Sequence, residues 1–180
     1  MSEIIDMYIG RSLNPTNHSF PDIGEHLPLL KHYAEQVRHI TEIGTRTGNS
    51  TTAFLAGLSK NGGEMHSYDI DPQNFYPPKI DNVTWVFHHQ DTQSNECLLR
   101  PTELLFIDGS HTYIGVTMDL RFAHLASRFI IMHDTAIAWC TLGGRGVYDA
   151  LAHFLAANVG IWAIKEQHDN CNGITVLERL

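Results

Sequence analysis

The feature that most narrows what this chain can become is the run Leu104-Leu105-Phe106-Ile107-Asp108, four apolar residues in succession ending in an acid. A strand with one wet face alternates apolar and polar side chains, so an unbroken run belongs to a central strand covered on both faces, as in a parallel sheet. Short β-rich runs at residues 37–43, 64–69, 83–88, 128–133, 161–166 and 173–178 surround it, and helical stretches at 49–59, 113–126 and 147–158 lie between them. Such alternation predicts βαβ units and a doubly wound, mostly parallel sheet of seven strands, α/β in class. The last two runs flank the turn-prone Asp169-Asn170-Cys171-Asn172, which predicts a C-terminal antiparallel hairpin and a sheet mixed at one edge. Residues 1–21, with Asn14-Pro15-Thr16-Asn17 and Phe20-Pro21, read as a loop-like lead-in. Ile23, Leu27, Leu30, Ala34 and Val37 then mark one helical face.

A chain of 180 residues is long enough to bury a substantial core and too short for two full domains, so one domain over residues 1–180 is expected. No stretch approaches the length of a membrane span, and the N-terminus has no signal-peptide pattern, which makes a cytoplasmic location the expectation. A formal charge of −8 without a Lys/Arg cluster argues against nucleic acid and leaves a small molecule as the expected substrate. Cys97, Cys140 and Cys171 are far apart and odd in number, so they read as reduced and structural.

Ligands of open α/β sheets bind beyond the carboxyl ends of the strands, where the strand order reverses. Glu42-Ile43-Gly44-Thr45-Arg46-Thr47-Gly48 ends the first strand there, its glycines allowing a tight turn and a close approach of backbone to ligand. Asp69 stands 21 residues after Gly48 at the end of the next strand, where an acid accepts hydrogen bonds from ribose hydroxyls. That spacing fits a nicotinamide dinucleotide or S-adenosylmethionine. Arg46, at the place of a middle glycine, would crowd a pyrophosphate, and the Glu42 carboxylate would repel one. The same carboxylate can order the loop and favours a ligand carrying an ammonium and a sulfonium.

With these residues the chain resembles the class I S-adenosylmethionine-dependent methyltransferases, in particular the subgroup of cephalosporin-hydroxylase-like proteins and sugar or natural-product O-methyltransferases. The resemblance covers roughly residues 35–135 and is carried by the 42–50 turn, Ser67-Tyr68-Asp69-Ile70-Asp71, the 105–113 segment through Asp108, Ser110 and His111, and Ile130-Ile131-Met132-His133-Asp134-Thr135. It implies a Rossmann-like fold with S-adenosylmethionine as cofactor. Methionine-moiety contacts would come from Glu42, Gly44, Thr45, Arg46, Gly48 and Ser50, with Asp108 alongside. Ribose would lie at Asp69, and adenine near Gln90 and Asp91.

Methyl transfer from a sulfonium is an in-line displacement, so the protein must hold the acceptor on the methyl axis and remove its proton. Asp108 and Asp134 end neighbouring strands about 4.8 Å apart and can converge on one cation. The metal-dependent relatives in the resemblance imply Asp108 with the pair His133-Asp134 as ligands. A histidine there departs from the usual oxygen pair and tilts the site from Mg²⁺ toward Mn²⁺ or Fe²⁺. Strand alternation also points His133 and Asp134 to opposite faces unless the strand has already turned. Without a metal, His111 is the candidate base; its plainer role is to cap the helix beginning near Thr112.

The catalytic candidates are therefore Asp108, His111 and Asp134, and the acceptor is a hydroxyl on a sugar, phenol or other natural product. Two alternatives stand beside this reading: a S-adenosylmethionine-binding scaffold without turnover, and a nicotinamide-dependent oxidoreductase. Residues 1–21, 72–81 and 136–145 are candidate substrate walls, as is the Gly143-Gly144-Arg145-Gly146 loop that overlaps the last. They offer little cover for a dry site, so a homodimer is expected to complete it.

Overall fold

The computed structural model describes residues 3–13, 23–136 and 145–180. Its centre is one seven-stranded sheet in the order β3-β2-β1-β4-β5-β7-β6. The strands are β1 (His39–Ile43), β2 (Gly63–Asp69), β3 (Val83–His89), β4 (Thr102–Ile107), β5 (Ala126–His133), β6 (Trp162–His168) and β7 (Ile174–Arg179). All neighbours from β3 to β5 run parallel, and β7 lies antiparallel between β5 and β6. The helices are α1 (Glu3–Leu13), α2 (Leu27–Ala34), α3 (Asn49–Asn61), α4 (Tyr113–Leu120) and α5 (Gly146–Ala157).

The apolar run at 104–107 behaves as a doubly covered strand should. Leu104 and Phe106 belong to a core shared with α1, α2 and α3, and Leu105 and Ile107 to a second core with α4 and α5. Phe129 and Ile131 of β5 face the first core while Ile130 and Met132 face the second. Ile23, Leu27, Leu30, Ala34 and Val37 are all buried against the sheet, as their helical spacing predicts. Arg121–Leu125 tightens into a 3₁₀ turn, so α4 ends six residues earlier than the periodicity suggests.

The N-terminal segment corrects the sequence reading. Residues 3–13 form a helix rather than a loop, with Ile4 buried in the first core. Arg11 donates to the Thr47 carbonyl at 3.1 Å and to Asn49 Oδ1 at 2.7 Å, so this helix latches the β1–α3 turn. Cys97 and Cys171 are free thiols; Cys140 and the glycines 143 and 144 lie outside the described residues. Among the described residues no helix is long and apolar enough to cross a membrane.

The chain leaves β1 toward β2 and β3 and returns to β4 on the other side, which places the reversal of strand order between β1 and β4. Gly44 (φ 92°) sits at that point, and a Cβ on it would lie 2.2 Å from the Asp108 carbonyl oxygen. Gly160 also has a positive φ, 79°, but open space around it. We expect Gly160→Ala to cost about 1–2 kcal/mol, the left-handed backbone alone. Gly44→Ala should cost about 3 kcal/mol or more, because a backbone carbonyl must also move. Urea unfolding of the two variants checks the difference; equal costs would show that the contact is not tight.

Candidate active site

The carboxyl ends of β1, β2, β3, β4 and β5 open into one cleft of about 600 Å³. Its wall runs from the Gly44–Thr47 turn, Asn49 and Ser50, past Asp69, Gln90 and Asp91, to Asp108, His111 and Asp134. Among the described residues, four buried side-chain atoms lack a hydrogen-bond partner: Ser12 Oγ, Thr45 Oγ1, Asp119 Oδ2 and Asp134 Oδ1. The last three belong to residues that line this cleft. Buried polar atoms are ordinarily satisfied, so three orphans in one cavity mark a place built for a ligand.

The turn is held from below by two acids. Glu42 is fully buried and accepts the Ser50 hydroxyl at 2.6 Å and the Thr51 hydroxyl at 2.8 Å. Burial pushes its carboxyl up to about 7, against the hydrogen bonds from Ser50, Ser67 and Thr51 that favour the anion. Asp69 Oδ2 accepts the backbone N–H groups of Thr45 and Arg46, both at 2.8 Å, and its Oδ1 accepts that of Asp71 at 2.9 Å. These bonds hold Arg46 in a left-handed conformation, φ 47°. Of the residues assigned to the cofactor, Gly44, Thr45, Arg46, Ser50, Asp69, Asp91 and Asp108 line the cleft, whereas Glu42 lies beneath it. Gly48 is also off the wall: a Cβ on it would meet the Phe75 ring at 2.3 Å.

At the other end β5 stops at His133, and Asp134 turns the chain with φ 59°. This removes the difficulty that alternation raised, for both side chains now reach the same side. His133 Nδ1 lies 3.2 Å from Asp108 Oδ1 and 3.7 Å from Asp134 Oδ1. One ligand atom from each of Asp108, His133 and Asp134 falls within 4.8 Å of the others. His133 donates from both ring nitrogens, Nε2 to the Cys171 carbonyl at 2.8 Å and Nδ1 to Asp108 Oδ1 at 3.2 Å, as an imidazolium beside two carboxylates. Burial would depress this imidazole, yet the charge and hydrogen bond of Asp108 and the charge of Asp134 raise it to about 9.

His111 does not cap α4; Thr112 does, accepting the Gly115 N–H at 3.1 Å. Instead His111 Nε2 meets Asp134 Oδ2 at 2.8 Å, and that bond raises its basicity. Burial works to raise the Asp134 carboxyl, but the His111 hydrogen bond and the charge of His133 carry it below its ordinary value. The sequence reading missed Tyr68, Ile70, Thr92, Gln93, Ser110 and Asp119 as cleft residues. Asp119 alone left a trace, as an acid three residues after Val116 and so on the apolar face of α4.

Several solved structures share this architecture. PaMTH1, an SAH-bound methyltransferase of Podospora anserina, aligns with a TM-score of 0.60 at 15% identity, over 100% of this chain and 89% of its own. MycE, a methyltransferase of the mycinamycin biosynthetic pathway in complex with Mg and SAH, gives 0.64 at 16% over 99% and 55%. An O-methyltransferase from Bacillus cereus in complex with SAH gives 0.61 at 13% over 100% and 92%. Identities this low establish a common fold, and the chain spans about half the length of MycE. No curated protein matches the sequence. The sequence profile of a methyltransferase-domain family does match, over residues 41–135, a stretch of more than half the chain that contains every acid of the cleft. The chain therefore belongs to that family of methyltransferase domains.

Proposed function

We propose that this enzyme methylates a hydroxyl group of a small molecule, a sugar, phenol or other natural product, with a divalent cation held by Asp108, His133 and Asp134. The observation that carries the reading is the convergence of those three groups at the mouth of the cofactor cleft, with Asp134 Oδ1 buried and without a hydrogen-bond partner. The residues fit a cation: two carboxylates supply charge, the Cys171 carbonyl holds the His133 Nε2–H, and a bound cation would take the place of the Nδ1 proton shared with Asp108. The mixed oxygen and nitrogen set favours Mn²⁺ or Fe²⁺ over Mg²⁺. The Mg in the MycE complex and the O-methyltransferase from Bacillus cereus lend support.

When bound, such a cation would lower the pKa of the acceptor hydroxyl and fix its orientation. The remaining work falls to the chain. The turn at 44–50, with Asp69, places the adenosyl group. His111 accepts the hydroxyl proton, its imidazole oriented by Asp134 as a base is oriented by a carboxylate in an acid–histidine pair. A cleft of about 600 Å³ is of small-molecule size. Of the candidate walls where an acceptor would be chosen, residues 14–21 and 137–144 lie outside the described residues.

Mn²⁺ binding followed by electron paramagnetic resonance should weaken by about 10–100-fold or more in Asp108→Ala and Asp134→Ala. His111→Gln should keep the ion but lower kcat by about 10²–10⁴-fold. Because Asp134 raises the His111 pKa, the wild-type rate should rise with pH through a value above the ordinary histidine range. Methyl transfer to hydroxylated acceptors that is unaffected by a chelator, with no Mn²⁺ signal, would remove the cation from the proposal.

Glu42 gives a second test. Its pKa is raised in the folded state, from 4.5 to about 7, so its stabilising contribution is complete below about 4.5 and lost as pH rises through about 7. A bound sulfonium and ammonium favour the anion and offset that loss. In Glu42→Gln the pH slope of stability over this window should flatten, and affinity for S-adenosylmethionine should fall more than affinity for its thioether product, which lacks the sulfonium charge. Urea unfolding at several pH values and calorimetric titration with both ligands measure the two effects; an unchanged slope and affinity would deny Glu42 this electrostatic part.

A further inference from the structure

A second group of metal-ligating side chains lies across β1 from Asp108, His133 and Asp134, on β2 and β3. Glu64, His66 and Tyr68 alternate along β2 and so share one face, and the edge strand β3 sets His88 opposite Tyr68. His66 Nε2 meets Glu64 Oε1 at 2.5 Å. An ionised carboxylate only accepts, so this nitrogen carries a proton and donates it. The other ring nitrogen, Nδ1, faces His88 Nε2 at 2.8 Å, and the two share one proton whichever ring carries it. Stacking fixes the arrangement. The His88 ring lies flat on Tyr68, centroids 4.3 Å apart with 9° between the planes, and against His66 at 5.1 Å and 22°.

A proton held between two imidazole nitrogens is what a metal ion displaces when it binds them, and a carboxylate on the far nitrogen is the usual partner of a ligating histidine. The spacing selects among ions. With bonds of about 2.0 Å, two nitrogens at a right angle stand about 2.8 Å apart, whereas a tetrahedral ion spreads them to about 3.3 Å. The observed 2.8 Å matches the right angle, the geometry that Ni²⁺ and Cu²⁺ adopt with nitrogen and oxygen ligands. Among the described residues, the set of three His, Cys, Asp or Glu ligand atoms within 4.8 Å of one another is that of Asp108, His133 and Asp134, so at this second group water would complete the shell. Solvent reaches these residues, since Glu64 and His88 are only half-buried.

We propose that His66 Nδ1 and His88 Nε2, with Glu64 orienting His66, bind a divalent transition-metal ion of the Ni²⁺ and Cu²⁺ type, which clips the edge strand β3 to β2. The clip forms whether or not the cleft takes S-adenosylmethionine. One charge opposes the ion. Arg100 Nη1 lies 3.7 Å from Glu64 Oε1, and its charge acts on His88. The Arg100 side chain is 73% exposed, so solvent screens most of that repulsion.

The test titrates Ni²⁺ by calorimetry into the Asp134→Ala protein, in which the other cation site is broken. One tight equivalent should remain. Adding His66→Gln or His88→Gln should weaken it by about 100-fold or more, and adding Glu64→Gln by about 10–100-fold. Adding Arg100→Gln should tighten it by about 2–5-fold, a change that loss of a structural contact would not produce. Ni²⁺ should raise the thermal unfolding midpoint of Asp134→Ala and leave that of its His88→Gln derivative unmoved. Cu²⁺ in Asp134→Ala should give the electron paramagnetic resonance spectrum of a tetragonal ion with two nitrogen ligands. If a histidine variant does not fold, nuclear magnetic resonance of the Asp134→Ala protein answers the same question, because Ni²⁺ should broaden the amide signals of residues 66 and 88. Equal Ni²⁺ affinity with and without the two histidines, or broadening that spares both residues, overturns the site.

Discussion

A methyl group that residue 44 lacks is the constraint on which the site depends. Because Gly44 has no Cβ, the turn leaving β1 lies directly against the carbonyl of Asp108, where β4 ends. Gly44 N–H donates across to Tyr68 O at 2.9 Å, and Asp108 N–H donates to Ile43 O at 2.9 Å. These short backbone bonds knit the ends of β2, β1 and β4 into one rim. The β1–α3 turn and Asp108 at the end of β4 are therefore a single rigid unit, held by main chain rather than by mobile side chains. Precision of this kind is what an in-line displacement requires of its scaffold.

Polar groups then take up what the rim leaves open, and they divide into two kinds. Glu42 and Asp69 are spent on the protein itself, the first binding hydroxyls of α3 from below and the second binding amides of the turn from the side. Asp119 Oδ2 and Asp134 Oδ1, in two residues that line the cavity, are each buried without a hydrogen-bond partner. The first pair can order the turn without a ligand. The second pair is destabilising without one, so ligand binding and stability are coupled at both ends of the cleft.

The sequence made the fold legible wherever a residue's neighbours in space are also implied by its neighbours in the chain. The run at 104–107 required two covered faces, and the acid after each strand fell on the open end of the sheet. What stayed hidden depended on contacts between distant segments. Residues 3–13 have a weak helical pattern beside prolines and asparagines, and only packing of Ile4 and the latch from Arg11 to Thr47 and Asn49 disclose a helix there. Gly48 looked like a ligand-facing glycine because nothing in the chain says that Phe75, 27 residues later, occupies the space beside it. Asp119 could be seen as an acid on an apolar face, but its relation to Thr92 needed the loop after β3 to be folded back on α4.

The convergence of His133 and Asp134 shows how a departure from the simplest sheet serves the site. In a wholly parallel sheet no strand would begin beside the end of β5. Here β7 runs antiparallel, with Ile174 opposite His133, so the turn that precedes it arrives beside His133 and Asp134. Cys171, Asn172 and Gly173 all have positive φ, which brings their carbonyls around to face β5. Cys171 O takes the His133 Nε2–H, Asn172 O takes the Ala136 N–H at 2.8 Å, and Gly173 O takes the Thr135 N–H at 3.3 Å. Asp134, between these anchored residues, can then hold a left-handed conformation that an aspartate would otherwise adopt only at some cost. The antiparallel strand thus does more than close the sheet: the turn before it supplies the backbone acceptors that hold a strained aspartate and the His133 ring side by side, and neither β5 nor the parallel strands could provide them.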